Sequence, residues 1–225
     1  MFEQIKLDHH IQKHIMSVLM FRKTARFRDL RPPKTDTNLF TYHLKVLIKD
    51  ELIQKTSEGY TLSQKGISYV DRVSSEKFIV RSQPKIITMM VVQNSDGDIL
   101  LQKRTKQPYI DTWTLPYGKV HIDDTNLERA AKRETYEKLG LKDQAVVHAG
   151  DCYIRVKAGG DILSTTLAHI YTFNHDDIHT NSGLVWARPH KLTSYDLAPA
   201  VESIVSRTFF RDEHFFEEFE EAWYN

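Results

Sequence analysis

The sequence predicts a mixed α/β (α+β) protein of two domains, in which a helical N-terminal domain with a short hairpin precedes a larger domain built on a mixed sheet. Apolar residues recur at helical spacing up to about residue 75, whereas strand-like runs separated by turns dominate from Lys85 onwards. The charge also changes along the chain. Residues 1–80 contain 14 Lys and Arg against 9 Asp and Glu, and residues 81–225 contain 17 against 21. A basic first third joined to an acidic remainder indicates two different tasks.

Composition indicates a soluble globular protein. Of the 225 residues, 40% are hydrophobic and 27% are charged. No apolar run approaches the ~20 residues that a membrane helix needs, and the N-terminal segment lacks an apolar signal core. Cys152 is the single cysteine, so no internal disulfide is expected. We therefore expect a cytoplasmic protein with no membrane partner, in which Cys152 packs in the interior and does not act as a nucleophile.

Three helices are predicted in the first third of the chain. The first spans roughly Asp8 to Phe21, where apolar residues form one stripe. A short second element, ARFRDL, ends at Arg31 because two prolines follow, and proline cannot continue a helix. The third begins in a cluster of N-cap residues at 35–38 and runs to about Glu51. The residues of the third helix that are expected to face the core are Leu39, Leu44, Leu47 and Ile48.

Two strand-like segments follow, LIQKT and YTLS, joined through Glu58-Gly59, and a fourth helix begins at Ser63. This order resembles that of bacterial and archaeal winged-helix regulators over residues 8–73. The resemblance implies a winged helix-turn-helix domain, assigned to residues 1–75, whose third helix enters the major groove of double-stranded DNA. The residues placed to face DNA bases or phosphates are Asn38, Thr41, Tyr42, Lys45, Lys34, Arg28 and Lys55. Such domains also serve for dimerisation or protein binding, and that alternative stays open.

The second domain, assigned to residues 85–207, follows a polar linker predicted at 76–84. KIITMMVVQ and ILLQKR predict a first hairpin around the turn NSDGD. VVHAGDCYIRV and ILSTTLAHIYTFN predict a second pair of strands around a turn at Gly159-Gly160. YDLAPAVESIV predicts a helix near the end of the domain. The final segment, FFRDEHFFEEFEEAWYN, is predicted to be an amphipathic acidic helix over 208–225.

The most informative segment lies between the two pairs of strands and reads TWTLPYGKV followed by HIDDTNLERAAKRETYEKLGL. It places Arg133, Glu134 and Glu137 on one helix, after a glycine turn. Acidic residues three apart lie on one side of a helix, so Glu134 and Glu137 can share one metal ion. The segment resembles the Nudix box, with Gly118 as the opening glycine and Asp124 in place of an early glutamate, provided that one residue is inserted before the helix.

The resemblance implies the Nudix fold, a mixed-sheet α/β/α sandwich, and metal-dependent chemistry on a diphosphate. Mg2+ or Mn2+ held by Glu134, Glu137 and Asp124 neutralises the diphosphate and activates a water in this family, with Glu134 and Glu137 as the catalytic residues. Two positions depart from the pattern. Tyr117 replaces a glycine, and Lys138 replaces a glutamate that binds metal. An ammonium group at that position repels a dication, which favours a domain that binds its ligand without hydrolysing it.

A nucleotide-type ligand is expected near the box. Aromatic rings can stack on its base, and Lys138 can bind a phosphate as a point charge. The residues predicted to bind the ligand are Gly118, Lys138, Arg104, Trp113 and Tyr117. For each aromatic residue, packing in the core or at its rim is the alternative.

Two functions are therefore predicted. In the favoured one, the protein is a homodimeric transcriptional regulator that binds DNA and responds to an ADP-ribose-like effector bound by its Nudix domain. In the alternative, the Nudix domain is a pyrophosphohydrolase that depends on Mg2+ or Mn2+ and cleaves a nucleoside diphosphate linked to another group.

Overall fold

The computed structural model describes residues 7–74, 82–210 and 214–223. The chain divides into two compact units, Met1–Ser82 and Gln83–Asn225. Residues 75–81, which hold most of the predicted linker at 76–84, lie outside the described residues.

The first unit contains four helices and a hairpin in the predicted order. The elements are α1 (His10–Met20), α2 (Phe27–Leu30), α3 (Thr37–Lys49), β1 (Ile53–Thr56), β2 (Gly59–Leu62) and α4 (Gln64–Val70). The side chain of Asp36 begins α3 because it accepts hydrogen bonds from the backbone N–H groups of Asn38 and Leu39, both at 2.9 Å. The hairpin pairs in antiparallel register, and a bridge between Ala25 and Tyr60 adds a third short strand to it.

The buried face of α3 differs from the predicted one by a rotation about the helix axis. Phe40, Leu44 and Leu47 are buried, whereas Leu39 is 44% exposed and Ile48 is 37% exposed, so the prediction is wrong for these last two residues. Burying a large aromatic ring at position 40 sets the stripe at 40, 44 and 47, and this turns positions 39 and 48 outward. The ring of Phe27 packs edge-on against Phe40 at a centroid distance of 4.8 Å.

The second unit contains one mixed sheet with strand order β10-β7-β8-β3-β4-β5, in which β6 pairs with β3 and β9 pairs with β4. Strands β3 and β8 are parallel, as are β10 and β7, and the other pairs are antiparallel. The strands are β3 (Lys85–Gln93), β4 (Ile99–Lys103), β5 (Trp113–Thr114), β6 (Tyr117–Lys119), β7 (Val147–Ala158), β8 (Asp161–Asn174), β9 (Leu184–Ala187) and β10 (Phe215–Ala222). The helices are α5 (Leu127–Leu139), α6 (Val201–Phe210) and a 3-10 helix at Pro189–Ser194.

Each face of the sheet is covered by one of the two α-helices, as expected for the predicted sandwich. Ile87 and Met89 of β3 belong to a core cluster that includes Ile204 of α6. Met90 of β3 belongs to a separate cluster, against which Leu139 of α5 packs. Successive residues of one strand therefore point to opposite helical layers.

The prediction of a helix over 208–225 is wrong for its described part, because α6 continues to Phe210 and β10 then runs parallel to β7. Burial alternates along β10, with Phe215 buried and Phe216 exposed. Over so short a segment, the apolar and acidic residues of FFEEFEEA fit both the helical period and the strand period. Pairing with the edge of β7 decides in favour of the strand. Glu220 of β10 lies 2.5 Å from Lys157 and 3.3 Å from Arg155, both on β7.

Cys152 lies buried in β7, as the sequence predicted. Burial, together with the carboxylates of Asp151 and Glu217, raises the pKa of its thiol to about 12. Since the thiolate is the nucleophilic form, this cysteine is chemically inert at neutral pH. None of the described helices combines the length and the apolar character that crossing a membrane requires.

Candidate functional site

Helix α5 packs against β3 and β6 and carries the acidic residues of the box. The side chain of Asn126 accepts a hydrogen bond of 2.9 Å from the backbone N–H of Arg129, which fixes the first turn. Gly140 ends the helix in the left-handed conformation, with φ at 72°. With both ends fixed, the second half of α5 holds its carboxylates at defined positions over the sheet.

Glu134 is buried, with only 4% of its surface exposed, and it lies directly over Gly118 of β6. A Cβ atom on Gly118 would lie 1.6 Å from Cδ of Glu134 and 1.8 and 2.2 Å from its two carboxylate oxygens. The glycine is therefore required for the close approach of the carboxylate and not for a special backbone angle. Thr88 pairs with Gly118 in the sheet, and its buried hydroxyl has no hydrogen-bond partner among the described residues. Thr88 was not among the predicted site residues, because a threonine within an apolar strand carries no distinguishing signal.

Arg133 connects the carboxylates of the box. Its Nη1 donates to Oε1 of Glu134 at 2.6 Å and lies 3.5 Å from Oε1 of Glu137. Its Nε and Nη2 donate to Oδ1 and Oδ2 of Asp124 at 3.0 and 2.8 Å, and Nη2 also donates to the backbone oxygen of Lys119 at 3.0 Å. One guanidinium thus contacts three carboxylates and reduces the repulsion among them.

Asp124 was predicted to bind metal, but both of its oxygens accept hydrogen bonds from Arg133. These bonds lower the pKa of Asp124 to about 2, and the same bonds raise the pKa of Arg133 above its ordinary value. The geometry favours a positioning role for Asp124: it orients the guanidinium, and the guanidinium orients Glu134.

Glu134 and Glu137 contact the same nitrogen of Arg133, so their carboxylates lie on one side of α5. The side chain of Glu137 is 50% exposed, and Lys138 next to it is also exposed. Mg2+ is commonly held by one or two protein carboxylates together with phosphates of the substrate. The Glu134 and Glu137 pair fits a metal ion of that kind, with Lys138 standing where a third carboxylate is expected.

Arg104 and Tyr117 form a second group. The Nη1 of Arg104 donates to the hydroxyl of Tyr117 at 2.6 Å, and its Nε and Nη2 donate to the backbone oxygen of Pro108 at 3.0 and 2.7 Å. Burial lowers the pKa of Lys85, and the charges of Lys119 and Arg104 lower it further. Lys119 pairs with Ile87, two residues from Lys85, in the antiparallel register of β3 and β6. Lys85 and Lys119 were not among the predicted site residues, because residues 34 positions apart are brought together only by the pairing of these strands.

Trp113 packs at the rim of the core of the second unit. It is half-buried at the edge of the core, where its ring meets the ring of Tyr195 at a centroid distance of 6.0 Å. Its backbone N–H donates to Asp196, and its backbone oxygen accepts from Ala198. These contacts agree with the alternative in which Trp113 packs at the rim of the core and does not stack on a ligand.

The residues predicted to contact DNA all lie on the first unit. Asn38, Tyr42 and Lys45 are exposed on α3, whereas Thr41 is half-buried and its hydroxyl donates to the backbone oxygen of Thr37 at 2.7 Å. Lys34 is exposed just before α3, with φ at 58°. The remaining two predicted residues, also exposed, are Arg28 on α2 and Lys55 on β1.

Comparison with known proteins gives the family of the second unit. The NUDIX domain of Shewanella oneidensis NrtR, in a cocrystal with ADP ribose, matches with 17% identity and a TM-score of 0.48, over 64% of this chain and 96% of that one. The MutT protein from Bacillus halodurans matches with 19% identity and a TM-score of 0.49, over 60% and 89%. Shewanella oneidensis NrtR complexed with a 27mer DNA matches with 16% identity and a TM-score of 0.44, over 55% and 59%. The sequence profile described as NUDIX domain matches residues 83–211. Since that match spans more than half of the sequence, the chain belongs to the NUDIX domain family.

Proposed function

We propose that the protein is a DNA-binding transcriptional regulator whose NUDIX domain binds a nucleoside-diphosphate-type ligand. The outer face of α3 is the observation that carries the proposal. Asn38, Tyr42, Lys45 and Lys49 are all exposed and follow one another at spacings of four, three and four residues, so they form one stripe on the helix. Tyr42 is 62% exposed. A stripe of this composition suits a helix that lies in a major groove, with amide and hydroxyl groups for base edges and lysines for phosphates.

The charges around α3 support the same assignment. Arg28, Lys34 and Lys55 are exposed on the elements that flank it, and the first unit is the basic part of the chain. The exposed apolar side chains of Leu39 and Ile48 favour the alternative, a surface for protein binding or dimerisation. Dependence on salt separates the two, because phosphate contacts release counterions and apolar contacts do not.

The effector part of the proposal rests on two groups in the second unit. Lys85 and Lys119 lie on the paired strands β3 and β6, Arg104 contacts Tyr117 of β6, and the three cations provide positive charge for a diphosphate. Glu134 and Glu137 face the same nitrogen of Arg133 and provide oxygens for a metal ion that accompanies the diphosphate. The lysine beside Glu137 weakens metal binding and so favours retention of the ligand over its hydrolysis.

Replacing Lys45 with Ala tests the DNA part. We expect weaker binding to every duplex sequence and a salt slope smaller by about 1, because one phosphate contact is lost. Fluorescence anisotropy over a salt series measures both quantities. Lys65→Ala is the matched control, since Lys65 is exposed on α4 and pairs with Glu51 at 3.9 Å. Unchanged affinity in K45A, or binding that is independent of salt, contradicts the placement of α3 in the groove.

The second candidate function is a pyrophosphohydrolase dependent on Mg2+ or Mn2+. It is favoured by the two glutamates that Arg133 and Gly118 hold in place. A divalent ion at Glu134 and Glu137 supplies charge neutralisation and an activated water. The residues of the chain hold the carboxylates in position: Arg133 orients Glu134, and Gly118 leaves room for it.

A panel of nucleoside diphosphate compounds, ADP-ribose included, separates the two functions when hydrolysis and thermal shift are measured together. Stabilisation by one compound without turnover supports the regulator. In that case we expect Lys138→Glu to raise the rate of hydrolysis at least ~10-fold, because the repulsion between the lysine and the metal ion is relieved. Each ~1.4 kcal/mol removed from the barrier raises the rate tenfold. Metal-dependent turnover that disappears in Glu137→Gln supports the enzyme. Glu137 is half-exposed, so this conservative change leaves the fold intact.

We also propose that the regulator acts as a homodimer, because helix-turn-helix proteins that read two half-sites use two-fold symmetry. Ligand binding then changes DNA affinity through a coupling free energy, which is typically about 1–3 kcal/mol, or roughly 5–150-fold. Anisotropy with and without the stabilising compound measures this coupling, and sedimentation measures the oligomeric state.

A further inference from the structure

A cluster of three histidines and one aspartate lies outside the box, on strands β7 and β8 and just before β10. The Nε2 of His148 lies 3.0 Å from Oδ1 of Asp151, and the Nδ1 of His169 lies 2.5 Å from the same oxygen. The ligand atoms of these three residues all lie within 4.8 Å of one another. The Nε2 of His214 lies 3.4 Å from the second oxygen, Oδ2. His148, Asp151 and His169 thus offer ligand atoms to one point, and the imidazole of His214 lies beside them.

A β-bulge brings the first two of these residues to the same face of the sheet. In a regular strand, residues three apart point to opposite faces. The pairing of β7 with β8 shifts between His148 and Gly150, so that Ala149 is an extra residue in β7. The shift reverses the alternation and places His148 on the side of Asp151. Bulges of this kind often re-aim side chains at functional positions.

The fourth residue reaches the cluster because a glycine admits β10. A Cβ atom on Gly150 would lie 2.6 Å from both the backbone oxygen and the ring of Phe215. Without a side chain at position 150, Phe215 packs in register beside it and holds the preceding His214 next to the cluster. The rings of His148 and His214 then meet at a centroid distance of 4.7 Å.

We propose that His148, Asp151, His169 and His214 form a binding site for a divalent transition-metal ion of the Zn2+ class. Imidazole and carboxylate are ordinary ligands of Zn2+, which structural sites bind through four protein ligands in a tetrahedron. With bonds of ~2.0–2.1 Å, neighbouring ligand atoms in such a tetrahedron lie about 3.3 Å apart. The nitrogens of His169, His148 and His214 lie 2.5, 3.0 and 3.4 Å from the oxygens of Asp151. A single ion satisfies three imidazole nitrogens at once, and hard Mg2+ does not favour such ligands. The ion ties the beginning of β10 to β7 and β8.

The site is separate from the box, although both lie on the same face of the sheet. Asp151, His169, Thr88 and Gly118 are successive neighbours in one row across β7, β8, β3 and β6. Two strand spacings separate His169 from Gly118, which corresponds to about 10 Å at ~4.8 Å per strand. The carboxylate of Glu134 lies over Gly118 at the far end of this row. The proposed ion is therefore distinct from a metal held by the box glutamates.

Titration of the metal-free full-length chain with Co2+ tests the proposal, because tetrahedral coordination by imidazole gives a visible absorption spectrum. We expect such a spectrum, its displacement by Zn2+, and a rise in melting temperature with Zn2+ alone. His169→Ala and His214→Ala should each weaken metal binding by at least ~10–100-fold, the effect known for loss of a residue that only hydrogen-bonds a metal ligand. Each variant should also lose the rise in melting temperature with Zn2+. His214 is 49% exposed, so its replacement leaves the core intact even if H169A fails to fold.

Two control variants make the result specific. Glu137→Gln removes a box carboxylate, and His175→Ala removes an imidazole outside the cluster. Both should keep the tetrahedral Co2+ spectrum of the wild type, because the box carboxylates supply no imidazole ligands, whereas the binding of an ion to the box itself is free to change in E137Q. No tetrahedral Co2+ spectrum in the wild type, or an unchanged spectrum in H169A or H214A, overturns the site. Loss of the tetrahedral spectrum in E137Q would assign the ion to the box and overturn the site equally.

Discussion

Replacing Arg133 with Ala is expected to lower the free energy of unfolding by about 3–5 kcal/mol, the range for removal of one partner from a buried ion pair. The side chain of Glu134 is 5% exposed, and its Oε1 accepts a hydrogen bond from Arg133 at 2.6 Å. Without the guanidinium, a carboxylate stays buried against the backbone of Gly118 with no compensating charge. Because single domains are stable by only ~5–15 kcal/mol, the loss is a large part of the total. Urea unfolding at neutral pH measures it.

Two further variants isolate the cause. Lys132→Ala is the matched control, because Lys132 forms an exposed ion pair with Glu128 on the same helix at 2.7 Å. Solvent screens an exposed pair of this kind, so K132A should lower the free energy of unfolding far less than R133A does. Adding Glu134→Gln to R133A should recover part of the loss, since the buried charge is then gone. A loss below about 1 kcal/mol in R133A, or no recovery in the double variant, would show that Arg133 does not compensate Glu134.

Replacing Phe215 with Ala is expected to destabilise the protein by about 3–5 kcal/mol, the range for truncation of a buried phenylalanine. Phe215 is 2% exposed and belongs to the core cluster that also holds Cys152 and Ile204. Its ring fills the space left open by Gly150, so truncation leaves a cavity that the sheet cannot close. Thermal and urea unfolding measure the effect.

The neighbouring residue is the control for this second prediction. Phe216 is 59% exposed on the opposite face of β10, and F216A should change the free energy of unfolding by no more than about 0.5 kcal/mol. The contrast between adjacent phenylalanines follows from the alternation of a strand. A larger loss in F216A than in F215A would mean that β10 pairs with β7 one residue out of register, because such a slip exchanges the two faces.

The box is the part of the site that the sequence predicts best. Spacing along one helix places Glu134 and Glu137 on a common side, and both indeed contact the same atom of Arg133. The different environments of the two glutamates do not follow from spacing. Glu134 is buried and Glu137 is half-exposed because β6 passes beneath one position of α5 and not beneath the other.

Local pattern was sufficient for the order of the elements in the first unit and for the assignment of the NUDIX domain. These features depend on helical and strand periods, on caps and on turns, all of which involve residues close together in the chain. The strand at the end of the chain and the histidine cluster depend on pairing between distant segments. His148, His169 and His214 share no spacing, and one inserted residue at Ala149 decides which face His148 joins. Side chains at such positions are set by the register of the sheet, which is a property of the folded molecule and not of any single segment.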